Sequence, residues 1–469
     1  GGSSGSPTQA AMVFKRAGLP TGSSGSYIVT FNTAPSVADV SVGDIGFMEG
    51  CLTSGADFTF LVTAVNGPEA KITLKYLSDT EEEGDQSPYG LDSEAGDQVP
   101  VVFKRAFSTI TLFEAMIDDA SPAYWGGSDD VVGECHADST FTDNDVDFSD
   151  KQSLASVTLT AVASDRHDGT AESGVLIEPT SKGTHLHGII RVGIDDMTIE
   201  WLDISMASVP DQSGGVTSQN RAIWIQANGD NTTIRNNLIH DSNGDTGTMG
   251  PGGITGYIAG VVGDFWYIYN NIIYNLIETN NDSASGLMMR NFLGNLYIYN
   301  NTIYKLKSHG GSKDAVGMRF GDGTYIVANI KNNIVAGLDG ADLNYAYWMD
   351  EAPNSNRILY SANNLSDDTS DAVADAEDFD QSVNDSTALI GKTLAQIDFV
   401  STVSGSEDLH LDTDSVCREA GVDLGTNNEV NIDIDSVDRD ATGVTWDIGA
   451  DQASAAESSD SPAFILFVD

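Results

Sequence analysis

The sequence predicts an all-β protein, a right-handed parallel β-helix solenoid with a small N-terminal antiparallel β module and a capping helix. Three observations carry this expectation. Five segments align with one another: TTIRNNLIHD from Thr232, WYIYNNIIYN from Trp266, LYIYNNTIYK from Leu296, NIKNNIVAGL from Asn329 and YSANNLSDD from Tyr360. The first Asn of each pair falls at 236, 270, 300, 332 and 363, so the steps are 34, 30, 32 and 31 residues. Trp201, in MTIEWLDIS, takes the equivalent place one step earlier. Within each unit, Ile, Tyr and Val recur with period two around the polar pair, which is strand chemistry on both sides of a corner. Asn suits that corner because it tolerates left-handed dihedrals, and stacked Asn side chains can bond to one another along the axis. Roughly midway between corners lies a third strand: AIWIQ at Ala222, GLMMR at Gly286, VGMRF at Val316 and AYWMD at Ala346. Three strands per coil of this length fit a parallel β-helix, whereas leucine-rich repeats are shorter and propeller blades longer.

The other elements follow in chain order. Residues 1–100 read as a small antiparallel module, in which VGDIGFMEG, FTFLVTAV and AKITLKYLSD are short strands before the acidic loop DTEEEGDQSPYGLDSEAGDQ. The pentamer VFKRA occurs at Val13 and again at Val102. Two strands whose bases pair with the abundant acids are the first reading of that echo, and an anchoring contact is the second. The β-helix is expected over 101–366. Its first element is an amphipathic helix from Phe107, with Leu112, Met116 and Ile117 on one face, placed to cover the open end of the solenoid. Residues 367–452 are expected to hold an Asp-rich loop, a short helix at Leu394–Phe399 and the end of the β-helix. Residues 453–469 should form a flexible linker and the apolar tail PAFILFVD.

Charge separates partner classes. Fifty-two Asp and 18 Glu stand against 22 Lys plus Arg, a formal net charge of −48. Asp favours turns over element interiors, so the acids belong on the loops of a β-rich fold. Such a field repels nucleic acid and anionic membranes, attracts Ca²⁺, and suits a salty medium. Cys51, Cys135 and Cys417 are too few and too scattered for a disulfide framework or a zinc motif. No run reaches the ~18 apolar residues that cross a bilayer, so no membrane insertion is expected, and no leader segment is read at the start of the chain.

The Asn-pair repeats resemble the pectate-lyase-like right-handed β-helix superfamily. The stretches LHLDTDSVCREAGVDLG from Leu409 and DIDSVDRDATGVTWDIGADQ from Asp433 resemble the ending of bacterial and phage-associated β-helix surface proteins. Here Asp438 stands where those have Gly, and Asp451 where they have Glu. The resemblance covers about Val157 to Gln452. It implies either lyase chemistry, with an Arg or Lys base and Ca²⁺ held by Asp, or hydrolysis by paired Asp. The ends of the middle strands supply the candidate row Gln226, Arg290, Arg319 and Asp350, of which Arg290, Arg319 and Asp350 are the catalytic candidates. His240, Asp241, Glu278, His309 and Asp314 lie on neighbouring loops. Trp224, Gln226 and Trp348 are the carbohydrate-binding candidates, because sugar faces stack on exposed rings, although core packing is the default for any one aromatic. Two acidic runs are candidate Ca²⁺ ligands, Asp143, Asp145 and Asp147 in TDNDVDFSD and Asp433 and Asp435 in NIDIDSVDRD. The first run lacks the Gly and Glu that an EF-hand loop needs.

Two functional readings follow. The first is a non-catalytic extracellular or virion-surface structural protein, a fibre, spike, decoration or filament subunit, with polysaccharide as an expected ligand. Its partners would be copies of itself or other surface proteins, joined through Phe464, Ile465, Leu466 and Phe467. The alternative is a polysaccharide lyase or glycoside hydrolase such as a tail-spike depolymerase.

Overall fold

The computed structural model describes six strands between residues 9 and 104, the segment 109–118, and residues 130–453 apart from stretches of which 368–386 is the longest. The chain divides into two compact units, Gly1–Leu112 and Phe113–Asp469. The first unit is one six-stranded antiparallel sheet, Gln9–Val13, Ser26–Thr30, Ile45–Met48, Phe58–Asn66, Lys71–Tyr76 and Gln98–Lys104. The two strands that carry the VFKRA echo pair with each other, Gln9 opposite Val102 and Val13 opposite Gln98. Lys15, Arg16 and Arg105 lie outside the described residues.

The second unit is a parallel β-helix of three sheets. Sheet one has eight strands, and sheets two and three have seven each. One coil shows the route. Asp264–Tyr269 lies in sheet one, Asn270 and Asn271 turn the corner, Ile272–Ile277 lies in sheet three, and Ala284–Arg290 lies in sheet two. Strand alternation sends one apolar row from each sheet to the axis. From sheet one these are Leu159, Ile199, Ile234, Ile268, Ile298 and Ile330, in register coil on coil. Sheet three supplies Ile204, Ile239, Ile273, Ile303 and Val335. Sheet two supplies Val146, Ile190, Ile223, Ile254, Leu287, Met318 and Tyr347. All of these are buried. At ~1.5–3 kcal/mol for each full side chain, this stack is the main source of stability.

The Asn corner is as the repeat predicts. The first Asn of every pair has φ between 51° and 56°, and Trp201, in the same place, has φ 59°. The second Asn of each pair is buried and forms a ladder. Amide Nδ2 of Asn237, Asn271, Asn301 and Asn333 donates to Oδ1 of Asn271, Asn301, Asn333 and Asn364 at 3.1, 3.0, 3.0 and 2.9 Å. A second left-handed row, Asp241, Asn275, Lys305 and Gly337, bends sheet three at matching intervals.

The helix Ile110–Asp118 sits on the first coil. The Phe113 ring fills the space left by Gly133 and meets Phe148 edge-on at 6.2 Å. The Asp118 carboxylate accepts from Ser149 Oγ and Asp150 N. The buried face is Ile110, Phe113 and Ile117, whereas Leu112 is 51% exposed, so the face predicted through Leu112 is displaced. The i, i+3, i+7 spacing of the observed face is the better helical stripe.

Residues 387–453 run back along the outside of the coils as a strap. The short helix Leu394–Ile397 leads into an antiparallel hairpin, Phe399–Val403 with Ser406–Leu411. Leu409, Leu411, Ile434, Ile448 and Ala450 pack on Leu238, Ile272, Ile334 and Leu365, the outward residues of sheet three. The outer Asn row holds the strap by its backbone. Asn363 donates to Ala420 O, Asn332 to Val422 O, Asn300 to Val430 O, Asn270 to Val430 O and Ile432 O, and Asn236 to Ile432 O and Asp433 O. Arg439 is the hub of the strap, fully buried, with its guanidinium donating to the carbonyls of Gly449 and Ala450 at 2.9 Å.

Candidate functional site

The outer face of sheet two carries arginine and tryptophan side chains in register. Parallel register aligns Asp147, Arg191, Trp224, Thr255, Met288, Arg319 and Trp348 in one row along the axis. Neighbours in such a row lie ~4.8 Å apart, within side-chain reach of one another. Arg191 donates to Asp147 Oδ2 at 2.7 Å and to Gln226 Oε1, and lies 5.7 Å from the Trp224 ring. Arg319 lies 4.2 Å over the Trp348 ring, which also stacks on Tyr345 at 5.1 Å. Four of the chain's eleven arginines, Arg191, Arg221, Arg290 and Arg319, stand on this sheet. Burial, with the charge of Arg290 adding to it, pulls Arg221 down to about 9. Thr255 is buried, and its hydroxyl finds no partner among the described residues.

Several expected site residues fall elsewhere. Arg290 pairs with Gly321, whereas Arg319 pairs with Met288 and Trp348. Arg319 therefore belongs to the tryptophan row and not to the row of Gln226 and Arg290, because the strand aligns from Gly317 rather than Val316. Trp224 is only 5% exposed and offers no open face, while Trp348 is half-buried with Arg319 over its ring. Asp350 and the tail residues Phe464, Ile465, Leu466 and Phe467 lie outside the described residues.

The histidines and acids mostly brace the fold. His240, buried on sheet three, donates to Asp203 Oδ1 at 2.7 Å and Asp241 Oδ2 at 2.8 Å, with Tyr274 stacked on it at 5.2 Å. Burial opposes its charge, but the two carboxylates prevail and raise it to about 9. Glu278 is fully buried, His309 is exposed, and the Asp314 backbone N donates to Ser283 Oγ while its carbonyl accepts from Ser308. Asp147 is bound by Arg191, and Asp143, Asp145 and Asp147 do not form a ligand group. Among the described residues, one set brings three ligand atoms within 4.8 Å of one another: His410, Asp435 and Asp451. Asp433 is not in that set, and its oxygens accept from Asp435 N, Val437 N and Gln452 N.

Sequence reasoning missed Arg191, Arg221 and Thr255. The strands of Arg191 and Thr255, Ile190–Val192 and Met249–Tyr257, escaped the repeat, and Arg221 lies just before the AIWIQ run on the strand Gln219–Ile225. The usable signal is a small residue just before the inward apolar residue in five of the seven strands of sheet two, Ala222, Gly253, Gly286, Gly317 and Ala346. A Cβ at Gly253, Gly286 or Gly317 would come within 2.8 Å of Ile273, Ile303 or Val335 respectively. Comparison with family models, with curated proteins and with solved structures found no match.

Proposed function

We propose that this chain is a non-catalytic surface component, extracellular or virion-borne, that holds an acidic polysaccharide along the outer face of sheet two. The observation that carries the reading is the register-locked line of arginine and tryptophan on that sheet in a chain of net charge −48. A guanidinium can pair bidentately with carboxylate or sulfate, and Arg319, partly exposed and braced over the Trp348 ring, is held ready for such a pairing. The likeness of the Asn-pair repeats to the pectate-lyase-like superfamily, and of the C-terminal stretches to phage-associated surface proteins, supports the same assignment. A second reading, a polysaccharide lyase, draws on one feature. Burial, with the charge of Arg290 adding to it, lowers Arg221 to about 9, toward the range of a general base, but the residue is only 4% exposed.

Polyuronate, sulfated and neutral glycans separate the readings when incubated with the full chain, with and without EDTA. Binding and product release are both followed. The surface-component reading expects salt-sensitive binding of the acidic glycans, lost at least 10-fold in Arg319→Ala and Trp348→Ala, with polymer length unchanged. Shortened polymer with unsaturated ends, abolished in Arg221→Gln, would establish the lyase instead. No binding of any acidic glycan would refute both.

A further inference from the structure

On the strand Ser406–Leu411, Leu409 and Leu411 point into the strap core and are buried. Alternation therefore puts Asp408 and His410 together on the opposite face. Asp408 Oδ1 accepts from His410 Nδ1 at 2.5 Å and also from the His410 backbone N at 3.2 Å, which fixes the ring. The Nε2 edge then faces Asp435, whose Oδ1 is 3.1 Å away. Asp451 enters from a third segment, with Oδ2 held by Leu411 N at 2.8 Å and its other oxygen left for the cluster. The turn that presents Asp435 is built by Asp433, which accepts from Asp435 N at 2.9 Å and from Gln452 N at 3.0 Å. Gly169, with φ 85°, passes so close that a Cβ there would lie 2.5 Å from Nε2. A carboxylate on the far nitrogen of an imidazole, with carboxylate oxygens gathered at the near one, is the carboxylate–histidine–metal arrangement.

We infer that His410, Asp435 and Asp451 form a three-ligand site for a divalent transition metal of the zinc type, buttressed by Asp408, that clips three segments of the strap together. This proposal is independent of the glycan reading. The imidazole sets the metal class, because Ca²⁺ and Mg²⁺ favour all-oxygen shells whereas mixed nitrogen and oxygen donors suit Zn²⁺. At metal–ligand distances of ~2.0–2.1 Å a tetrahedral edge is about 3.3 Å. The ligand atoms, all within 4.8 Å of one another, need to close by at most about 1.5 Å to reach that edge. Asp435 is the exposed member, so a fourth position faces water.

The test uses the full chain, stripped with chelator and titrated with Zn²⁺ by calorimetry, and with Co²⁺ followed by its visible spectrum. The expected result is one tight equivalent, a four-coordinate Co²⁺ spectrum and a higher melting temperature. Affinity should fall at least 100-fold in Asp435→Asn and His410→Gln, fall about 10–100-fold in Asp408→Asn, and stay unchanged in Asp143→Asn. Asp435→Asn keeps the test decisive if His410→Gln does not fold, since Asp435 lies at the surface. Absence of a saturable equivalent, an Asp435→Asn chain that binds as wild type, or displacement of Zn²⁺ by equimolar Ca²⁺ would each overturn the proposal.

Discussion

Asn301→Ala tests whether the buried amides hold the coils in register or merely decorate the corner. The Asn301 Nδ2 group donates to Ile268 O at 2.9 Å, Tyr299 O at 3.0 Å and Asn333 Oδ1 at 3.0 Å. Its Oδ1 accepts from Asn271 N at 3.1 Å and Asn271 Nδ2 at 3.0 Å. Alanine leaves the buried Asn271 N–H without its acceptor, at roughly 1–3 kcal/mol, and removes two or three further bonds at about 1 kcal/mol each. Tyr299 O keeps the Asn270 N–H, which limits the damage on that side. The sum is a loss of about 3–6 kcal/mol. The neighbouring Asn300→Gly is the control. Gly accepts the φ of 51° without strain and forfeits one long bond, Nδ2 to Val430 O at 3.3 Å, so about 1 kcal/mol is expected. Equilibrium urea unfolding, followed by far-ultraviolet circular dichroism and tryptophan fluorescence, measures both. A cost below 1 kcal/mol for Asn301→Ala, or one no greater than that of Asn300→Gly, would refute the ladder as a stabilising element.

Four further outcomes are expected. His240 stays charged in the folded chain up to about pH 9 but titrates near 6.5 when unfolded. Its contribution of roughly 3 kcal/mol is thus complete below pH 6.5 and is lost as pH rises toward 9, so urea midpoints should fall over that window and flatten in His240→Gln. Gly286→Ala should destabilise by about 1–3 kcal/mol, because the new Cβ would sit 2.8 Å from Gly317 O and from Ile303 Cγ2. Gly405→Ala, with open space around it and only a φ of 77° to strain, should cost about 1 kcal/mol. Cys135 and Cys417 are buried, with thiols pushed up to about 12 chiefly by burial, so a thiol reagent should label neither until the chain unfolds. Prompt labelling of both in the native protein would contradict that burial.

The corner was readable because one residue type does one job there at every step, and the Asn pairs announce both position and period. The second left-handed row was not, because Asp241, Asn275, Lys305 and Gly337 share no chemistry, and Lys305 is held by an ion pair to Glu407 at 3.0 Å. On sheet two the third strand was visible, but Arg319 was set two residues out of register. Apolar runs alone do not fix phase, and the small-residue row that does was not used. The strap reads as the end of the β-helix because its stretches from Leu409 and Asp433 resemble the ending of β-helix surface proteins. A sign of its place lay in the coils themselves. Both residues after the Asn pair are apolar in Leu238–Ile239, Ile272–Ile273 and Ile334–Val335. Only one of each can face the axis, so the outer face of sheet three required a cover.

The strap also changes how the coils depend on one another. A bare solenoid couples each coil to its neighbours alone, and its ends can fray while the middle stands. Here the bond from Asn236 to Asp433 spans 197 positions, and that from Asn363 to Ala420 spans 57, on a single segment that touches every Asn corner between them. The segment can dock only after those corners exist, so folding should proceed by coil-upon-coil growth followed by a late closing step, slow because its contacts are so distant in sequence. Once docked, the strap makes the loss of any one coil a loss for all of them. A one-dimensional stack with graded melting becomes a single cooperative unit that resists unzipping from either end.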